Sequence, residues 1–287
     1  MKRRRLIGRR LEESIVKFLM IFSFVLVVAS LGFILATVIV KGLPTLSLAM
    51  LTQTPKGGYY LGKGGGILNA IVGSLYLAGG GTLLALVVSL PLALSLQAYA
   101  NRSRWAKYTR LALDILWGIP SIAYGAFGFL IMTSLHLRSS LLGGIAVLAL
   151  LELPIMTRTI NEVVRLMPFQ LEHASFALGA TRLETSIHVA IRQIVPGIVT
   201  GILLAFGRGI GDAASVLFTA GYTDRIPDSL LRPVASLPLA VFFQLNTPYP
   251  EVQARAYTSA LVLTIIVMAV SILSRYLSGG LSKHVVK

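Results

Sequence analysis

The sequence predicts an all-α membrane protein with six transmembrane helices. Three observations carry this expectation. Only 13% of the 287 residues are charged, while 55% are hydrophobic; soluble domains average about 25% charged. The mean hydropathy is +0.78. The apolar residues gather into runs of about 20, the length needed to cross a hydrocarbon core.

Each run can be justified in turn. Phe18–Val40 is uncharged and 23 residues long. The stretch MKRRRLIGRRLEESIVK before it imitates the start of a signal peptide. The apolar run is longer than an ordinary signal core, however, and no small-x-small cleavage site closes it. It is therefore read as a retained first helix behind a basic N-terminus at 1–17. Ile67–Leu96 is uncharged, with Gly79-Gly80-Gly81 and Pro91 expected to bend it. Leu111–Thr133 carries Asp114, which this boundary places in the first turn, where the helix dipole favours an anion. Pro120, in the stretch WGIPS, is expected to kink that helix. Ser121 would then satisfy freed backbone groups or face a pathway. Leu141–Thr157 is short and holds Glu152 near its end. Val195–Thr219 carries Arg208 and Asp212, and Ala256–Ser274 is uncharged. Pro233–Leu245 is apolar but too short to span, and is read as re-entrant or interfacial. The organisation is thus a first helix at 18–40, a five-helix core over 67–278 that includes a loop at 158–192, and a tail at 279–287.

The net charge of +15 is sorted by position. Eighteen Lys and Arg residues fall on one side of these spans and seven on the other. That bias places both termini in the cytoplasm. The charge is therefore mostly a topology signal and an attraction to anionic membrane lipids; no nucleic-acid partner is expected. Cysteine is absent and the four histidines are scattered, so neither a disulfide framework nor a metal site is expected. No Gly-x-x-x-x-Gly-Lys-Ser/Thr loop occurs, so the chain should not hydrolyse ATP itself. The glycine-rich GKGGG (62–66) and GRGIG (207–211) do not run from a strand into a phosphate-cradling helix.

Two stretches carry chemistry. In the loop 158–192, Pro168 fits the start of a short helix and Gly179 its end. Thr181 and Glu184 have the spacing of a capping box. Helix, glycine turn and helix follow, either as an amphipathic connector on headgroups or as a docking site for another protein. The second stretch is LLAFGRGIGDAASVLF (203–218). Arg208 and Asp212 are four apart and would share a helical face. Arg208 would lie about 22 Å along the helix axis, in the middle to outer half of a hydrocarbon core of about 30 Å. A charge at the centre costs at least about 2.5–3.5 kcal/mol, which pairing reduces. The pair is either structural glue or an anion site, for which arginine offers a permanent charge and a planar fork. Ala205/Gly209 and Gly207/Gly211 are small-residue pairs that let another helix approach.

ALGATR (177–182), followed by a membrane helix, resembles the EAA loop of permease subunits of ATP-binding-cassette importers. In that family the loop is a coupling helix seated in the ATPase subunit. Gly179 falls six residues after the family's glutamate position, which here holds His173, displaced by one from Glu172. The family's Leu-Pro reads Ile191-Arg192. GGGILNAIVGSLYL (64–77), DILWGIPSIAYGAFGF (114–129), LPIMTRTINEVVRLMP (153–168), PVASLPLAVF (233–242) and GRGIGD extend the resemblance over nearly the whole chain, and toward the phosphate branch. The family usually has Arg-x-x-Gly-Glu where this chain has Arg-Gly-Ile-Gly-Asp. The resemblance implies a type I importer (MetI-like) fold with cytoplasmic coupling helices. It implies a phosphate pathway at Arg208 and Asp212. It implies coupling through residues 168–185, with Glu172, His173, Ala174, Gly179, Ala180 and Thr181 facing the ATPase. The implied partners are a second permease (PstC-like), two ATP-binding subunits (PstB-like) that use ATP and Mg, and a periplasmic phosphate-binding protein (PstS-like). No cofactor is expected on this chain. The weighed alternatives are a permease for phosphonate, sulfate or molybdate, and a membrane enzyme acting on a lipid phosphate.

Overall fold

The computed structural model describes residues 2–56, 64–98 and 103–281, with side chains for 12–56, 64–97 and 103–277. Part of GKGGG, most of the tail at 279–287 and the side chains of the first basic residues lie outside the described residues. The elements run as α1 (Lys2–Gly42), a 3-10 turn (Leu43–Thr45), α2 (Leu48–Thr52), β1 (Pro55–Lys56), β2 (Gly64–Gly65) and α3 (Leu68–Ala98). Then come α4 (Arg104–Gly118), α5 (Ser121–Ser134), α6 (Leu141–Arg165), α7 (Phe169–Ala177) and α8 (Arg182–Glu184). A π segment (Thr185–Ala190), α9 (Ile191–Ile210), α10 (Leu237–Leu245) and α11 (Pro250–Leu281) complete the chain. The two strands pair antiparallel, Pro55 with Gly65 and Lys56 with Gly64. Among the described residues five helices are long and apolar enough to cross a membrane, and a sixth crossing is counted when the bent pair α4/α5 is taken as one broken span. The all-α expectation of six spans is met in this form.

The core is the packing of α3, α6 and α9. Glycine sets the distance between α3 and α6. A Cβ on Gly80 would meet the Ile145 side chain, and one on Gly81 would meet Leu148 at 2.9 Å. Gly80 and Gly81 therefore serve close approach, while an added Cβ on Gly79 would meet nothing within 4 Å, and α3 continues as helix through the triplet and through Pro91. Met156, Ile160, Ile194 and Ala205 fill the α6–α9 seam, with Ala85 from α3. Leu77, Leu148, Val216 and Leu239 make a second cluster, which joins α10 and the turns after α9 to the bundle.

The sequence boundaries change at four places, each for a physical reason. First, the third span is broken, not kinked. α4 and α5 meet at Ile119-Pro120 with a bend of 103°, because Pro120 has no N–H to continue the ladder and pushes Ile119 out of the helical region. Ile119 is extended, at φ −74° and ψ 131°. Asp114 consequently lies well inside α4 and not in a first turn, so no N-terminal dipole supports it; it pairs with Arg158 of α6 instead. Second, α6 runs two turns beyond Thr157 to Arg165, which puts Glu152 near its middle, fully buried and facing the bundle. Third, the far part of the 158–192 loop is continuous with the next span, so one helical rod covers Arg182–Ile210. The connection proper is short and contains α7. Fourth, α9 stops at Ile210, and residues 211–220 form turns where a helix to Thr219 was expected.

α1 makes its contacts late. A Cβ on Gly42 would fall 2.7 Å from the Tyr257 carbonyl oxygen of α11, and the Thr45 and Thr258 hydroxyls are 2.6 Å apart. Residues 15–34 are exposed along their length. α10 is the short apolar segment read as re-entrant. Leu237, Leu239 and Ala240 are buried between α3 and α11, and Ser74 Oγ of α3 accepts from Leu237 N–H at 2.7 Å.

Candidate functional site

Arg208 occupies the last turn of α9. The carbonyls left without partners there make the helix end partially negative, which favours a cation. Its side chain is 56% exposed, while the Asp212 side chain is 6% exposed. Asp212 lies beyond the helix end, not on a shared face. Its Oδ1 accepts from Ser215 N–H at 2.8 Å, so this carboxylate caps the turn that follows α9. Its Oδ2 stands 3.9 Å from Arg208 Nη2, too long for a hydrogen bond. The carboxylate thus orients the guanidinium without closing it, and leaves its fork open to an oxyanion.

Irregular backbone at membrane depth survives only where protein or a water-filled cavity receives its polar groups. The segment after Asp212 is received on several sides. A Cβ on Gly125 of α5 would lie 2.7 Å from the Ser215 carbonyl oxygen and 2.8 Å from that of Ala214. Ser140 N–H donates to the Thr219 carbonyl at 2.8 Å, and Val234 N–H to Ala220 at 3.0 Å. The site therefore rests on α5, α6 and the strand-like approach to α10. Pro120 and Ser121 sit at the start of α5, one turn before Gly125. Pro120 is exposed and Ser121 half-buried, and the α5 N-terminus has no side-chain cap.

The glycines divide by face. Gly201, Ala205 and Gly209 are buried on the side toward α6, while Gly207 and Gly211 have no neighbouring group closer than 3.8 Å to an added Cβ. Behind Gly209 stands Glu152, whose Oε1 occupies the place a Cβ would take. Both carboxyl oxygens are buried without a hydrogen-bond partner, and so is the Thr82 hydroxyl of α3. Sequence reasoning left Glu152 undecided; a charge in an otherwise apolar run was the available signal, but its helical face was not fixed by periodicity.

The connection between α6 and α8 has the expected shape. α7 ends in a glycine turn, with Gly179 at φ +85° and Ala180 N–H donating to Ser175 at 3.2 Å. Thr181 Oγ1 accepts from Glu184 N–H at 3.3 Å, and Glu184 Oε2 accepts from Thr181 N–H at 2.8 Å. This reciprocal capping box starts the rod that ends at Ile210, two residues past Arg208. The Ser175 and Thr185 hydroxyls meet at 2.8 Å and tie α7 to the π segment. Glu172 is half-buried; His173, Ala174, Gly179 and Thr181 are exposed, and Ala180 is half-buried. The His173 ring meets Phe169 edge to face at 5.7 Å. Leu178 at the turn is 89% exposed, and Phe169 at the other end of α7 is 66% exposed.

Bundled spanning helices, a short buried helix and a half-exposed arginine at the end of a spanning helix mark a polytopic membrane protein. The chain belongs to the family described as "Binding-protein-dependent transport system inner membrane component", whose profile matches residues 85–287. It is 34% identical over 246 residues to the phosphate transport system permease protein PstA of Haemophilus influenzae, covering 85% of this chain and 86% of that one. It is 33% identical over 275 residues to PstA of Yersinia pestis, covering 96% and 92%. An inward-facing structure of the MetNI methionine ABC transporter contains a chain of the same fold, with TM-score 0.62, 15% identity and coverage of 75% of this chain and 95% of that one.

Proposed function

We propose that this chain is the permease subunit through which an ATP-driven importer moves inorganic phosphate into the cytoplasm by alternating access. The observation that carries this reading is the identity to proteins named as phosphate transport permeases over nearly their whole length. The open guanidinium of Arg208 supports it. Arginine keeps its charge and matches oxyanion geometry, and one exposed fork makes a passing site, not a trap.

In this proposal phosphate passes Arg208, and Asp212 weakens its hold by standing beside the guanidinium. The loop 168–185 seats in an ATP-binding subunit through Glu172, His173, Ala174, Gly179, Ala180 and Thr181. The exposed Leu178 and Phe169 support a seat of that kind. ATP and Mg belong to two PstB-like subunits, a PstC-like permease completes the pore, and a PstS-like protein delivers phosphate outside. The bias of Lys and Arg supports cytoplasmic termini in the bacterial inner membrane. Because the chain has no cysteine, single introduced cysteines labelled from one side would test that orientation.

Replacing Arg208 with glutamine is expected to abolish uptake of labelled phosphate at normal protein level in the membrane. Wild-type uptake by R208Q would overturn its role. Sulfate, molybdate and phosphonate should compete poorly; equal competition would overturn the choice of phosphate.

A further inference from the structure

α4 divides into three sectors around its axis. Ala106 and Leu113 are buried against Leu92 and Leu96 of α3 and Leu153 of α6. Trp105, Tyr108, Leu111 and Ile115 face outward, each more than half exposed. Between these sectors runs a polar stripe, Ser103, Lys107, Arg110 and Asp114, spaced by four, three and four residues and so aligned on one face. A cavity of about 500 Å³ lies on this stripe, lined by Ser103, Arg104, Ala106, Lys107, Arg110, Leu111 and Asp114.

The charges around the cavity do not balance internally. Asp114 is engaged by Arg158 of α6, whose guanidinium also lies 5.2 Å from the Trp117 ring. Arg110 Nε and Nη2 are buried with no hydrogen-bond partner. Guanidinium donors removed from water without an acceptor are costly, so the site calls for an anion. The apolar part of the lining is Ala106 on the buried side and Leu111 on the other, and Leu111 leads directly into the exposed sector holding Ile115. Trp105 and Tyr108 on the same side have the amphipathic rings that collect at a membrane–water boundary.

We infer that this cavity holds the headgroup phosphate of an anionic phospholipid, with Arg104, Lys107 and Arg110 as its donors and the acyl chains lying along Leu111 and Ile115. A soluble phosphate would use the cations but leave the adjoining apolar sector bare. A phospholipid matches both halves of the surface at once. The site stands on α4 and its packing, independent of the Arg208 pathway. Through Pro120, α4 leads into α5, whose Gly125 touches the turns after Asp212, so the bound lipid would brace the arm that supports those turns.

The test uses the full chain purified in detergent and exchanged into phosphatidylglycerol or phosphatidylcholine, with retained lipid counted by native mass spectrometry. Phosphatidylglycerol should be retained in preference to phosphatidylcholine. Each cation near a surface contributes about fivefold, so Arg104→Gln, Lys107→Gln and Arg110→Gln together should lower phosphatidylglycerol affinity about 100-fold. R110Q alone, the smaller perturbation should the triple variant misfold, should lower it about fivefold. Arg138→Gln, Arg192→Gln and Arg275→Gln together, an equal change of charge elsewhere, should leave it unchanged. Millimolar inorganic phosphate should not displace the lipid. Equal retention of the two lipids, equal loss in both triple variants, or displacement by inorganic phosphate would each overturn the inference. So would loss of ATPase-subunit binding in the α4 variants with lipid retention intact.

Discussion

Gly209→Ala is the smallest change that should disturb the Arg208 site from behind. The added methyl would be directed into Glu152 Oε1, with Glu152 Cδ 3.1 Å and Cγ 3.8 Å away. Glu152 is fully buried and cannot swing into water. Room is made either by turning the carboxylate aside within the packed bundle or by shifting the last turn of α9 away from α6, which carries Arg208 with it. Overpacking of this kind costs about 1–3 kcal/mol, offset by up to about 1 kcal/mol for alanine over glycine in a helix. A net loss of about 1–2 kcal/mol is expected. Glu152→Ala removes the three atoms nearest the new methyl, Oε1, Cδ and Cγ. In that background Gly209→Ala should cost nothing or stabilise slightly, giving a coupling of about 1–3 kcal/mol in a double-mutant cycle. The measurement is unfolding of the four proteins in one detergent, with phosphate uptake alongside. G209A should take up phosphate poorly, and the unfolding penalty of Gly209→Ala should vanish once Glu152 is alanine. Additive penalties, or G209A as stable as wild type, would refute the contact.

Three further outcomes are expected from the geometry. Thr181→Ala removes the capping box and should cost about 0.5–2 kcal/mol, read as faster amide exchange over 169–190 with the lower half of α9 still protected. Gly179→Ala forces a β-carbon into a left-handed conformation at about 1–2 kcal/mol and should raise exchange in the same window. Asp114→Asn should change stability by less than about 1 kcal/mol, because both partners of the Arg158 pair are about half exposed and exposed pairs contribute little; a loss above about 2 kcal/mol would show that the pair is shielded in the assembled protein.

Much of the architecture was legible in the sequence because long apolar runs and capping residues act locally. Phe18–Val40, the α3 run, the glycine turn at Gly179 and the Thr181 capping box come from composition and spacing alone. The features that escaped depend on tertiary surroundings. No local pattern stops α9 at Ile210, since residues 213–219 are as apolar as a helix interior; the stop is held by Asp212 capping Ser215 and by carbonyls received on Gly125. α6 could be extended past Thr157 only by knowing that Ile160 and Val164 are buried against α9 and α3. The pairing of Asp114 with Arg158 joins residues 44 positions apart in sequence. Arg208 and Asp212 were found as a pair, but their separate roles, an open fork and a turn cap, required the helix end.

The π segment at Thr185–Ala190 has a consequence for how this chain can vary. A π turn closes with i→i+5 bonds and so takes in one residue more than an α turn, while every residue added to an α-helix rotates the rest of the helix by about 100°. A single insertion or deletion between Glu184 and Gly209 would therefore spin Arg208 to another side of the rod, unless a local winding change absorbed it. The segment beside the capping box is where such a change is already built in. The length of the rod is constrained as tightly as the identity of the arginine at its tip, and relatives that differ in length there should differ in the winding of this turn.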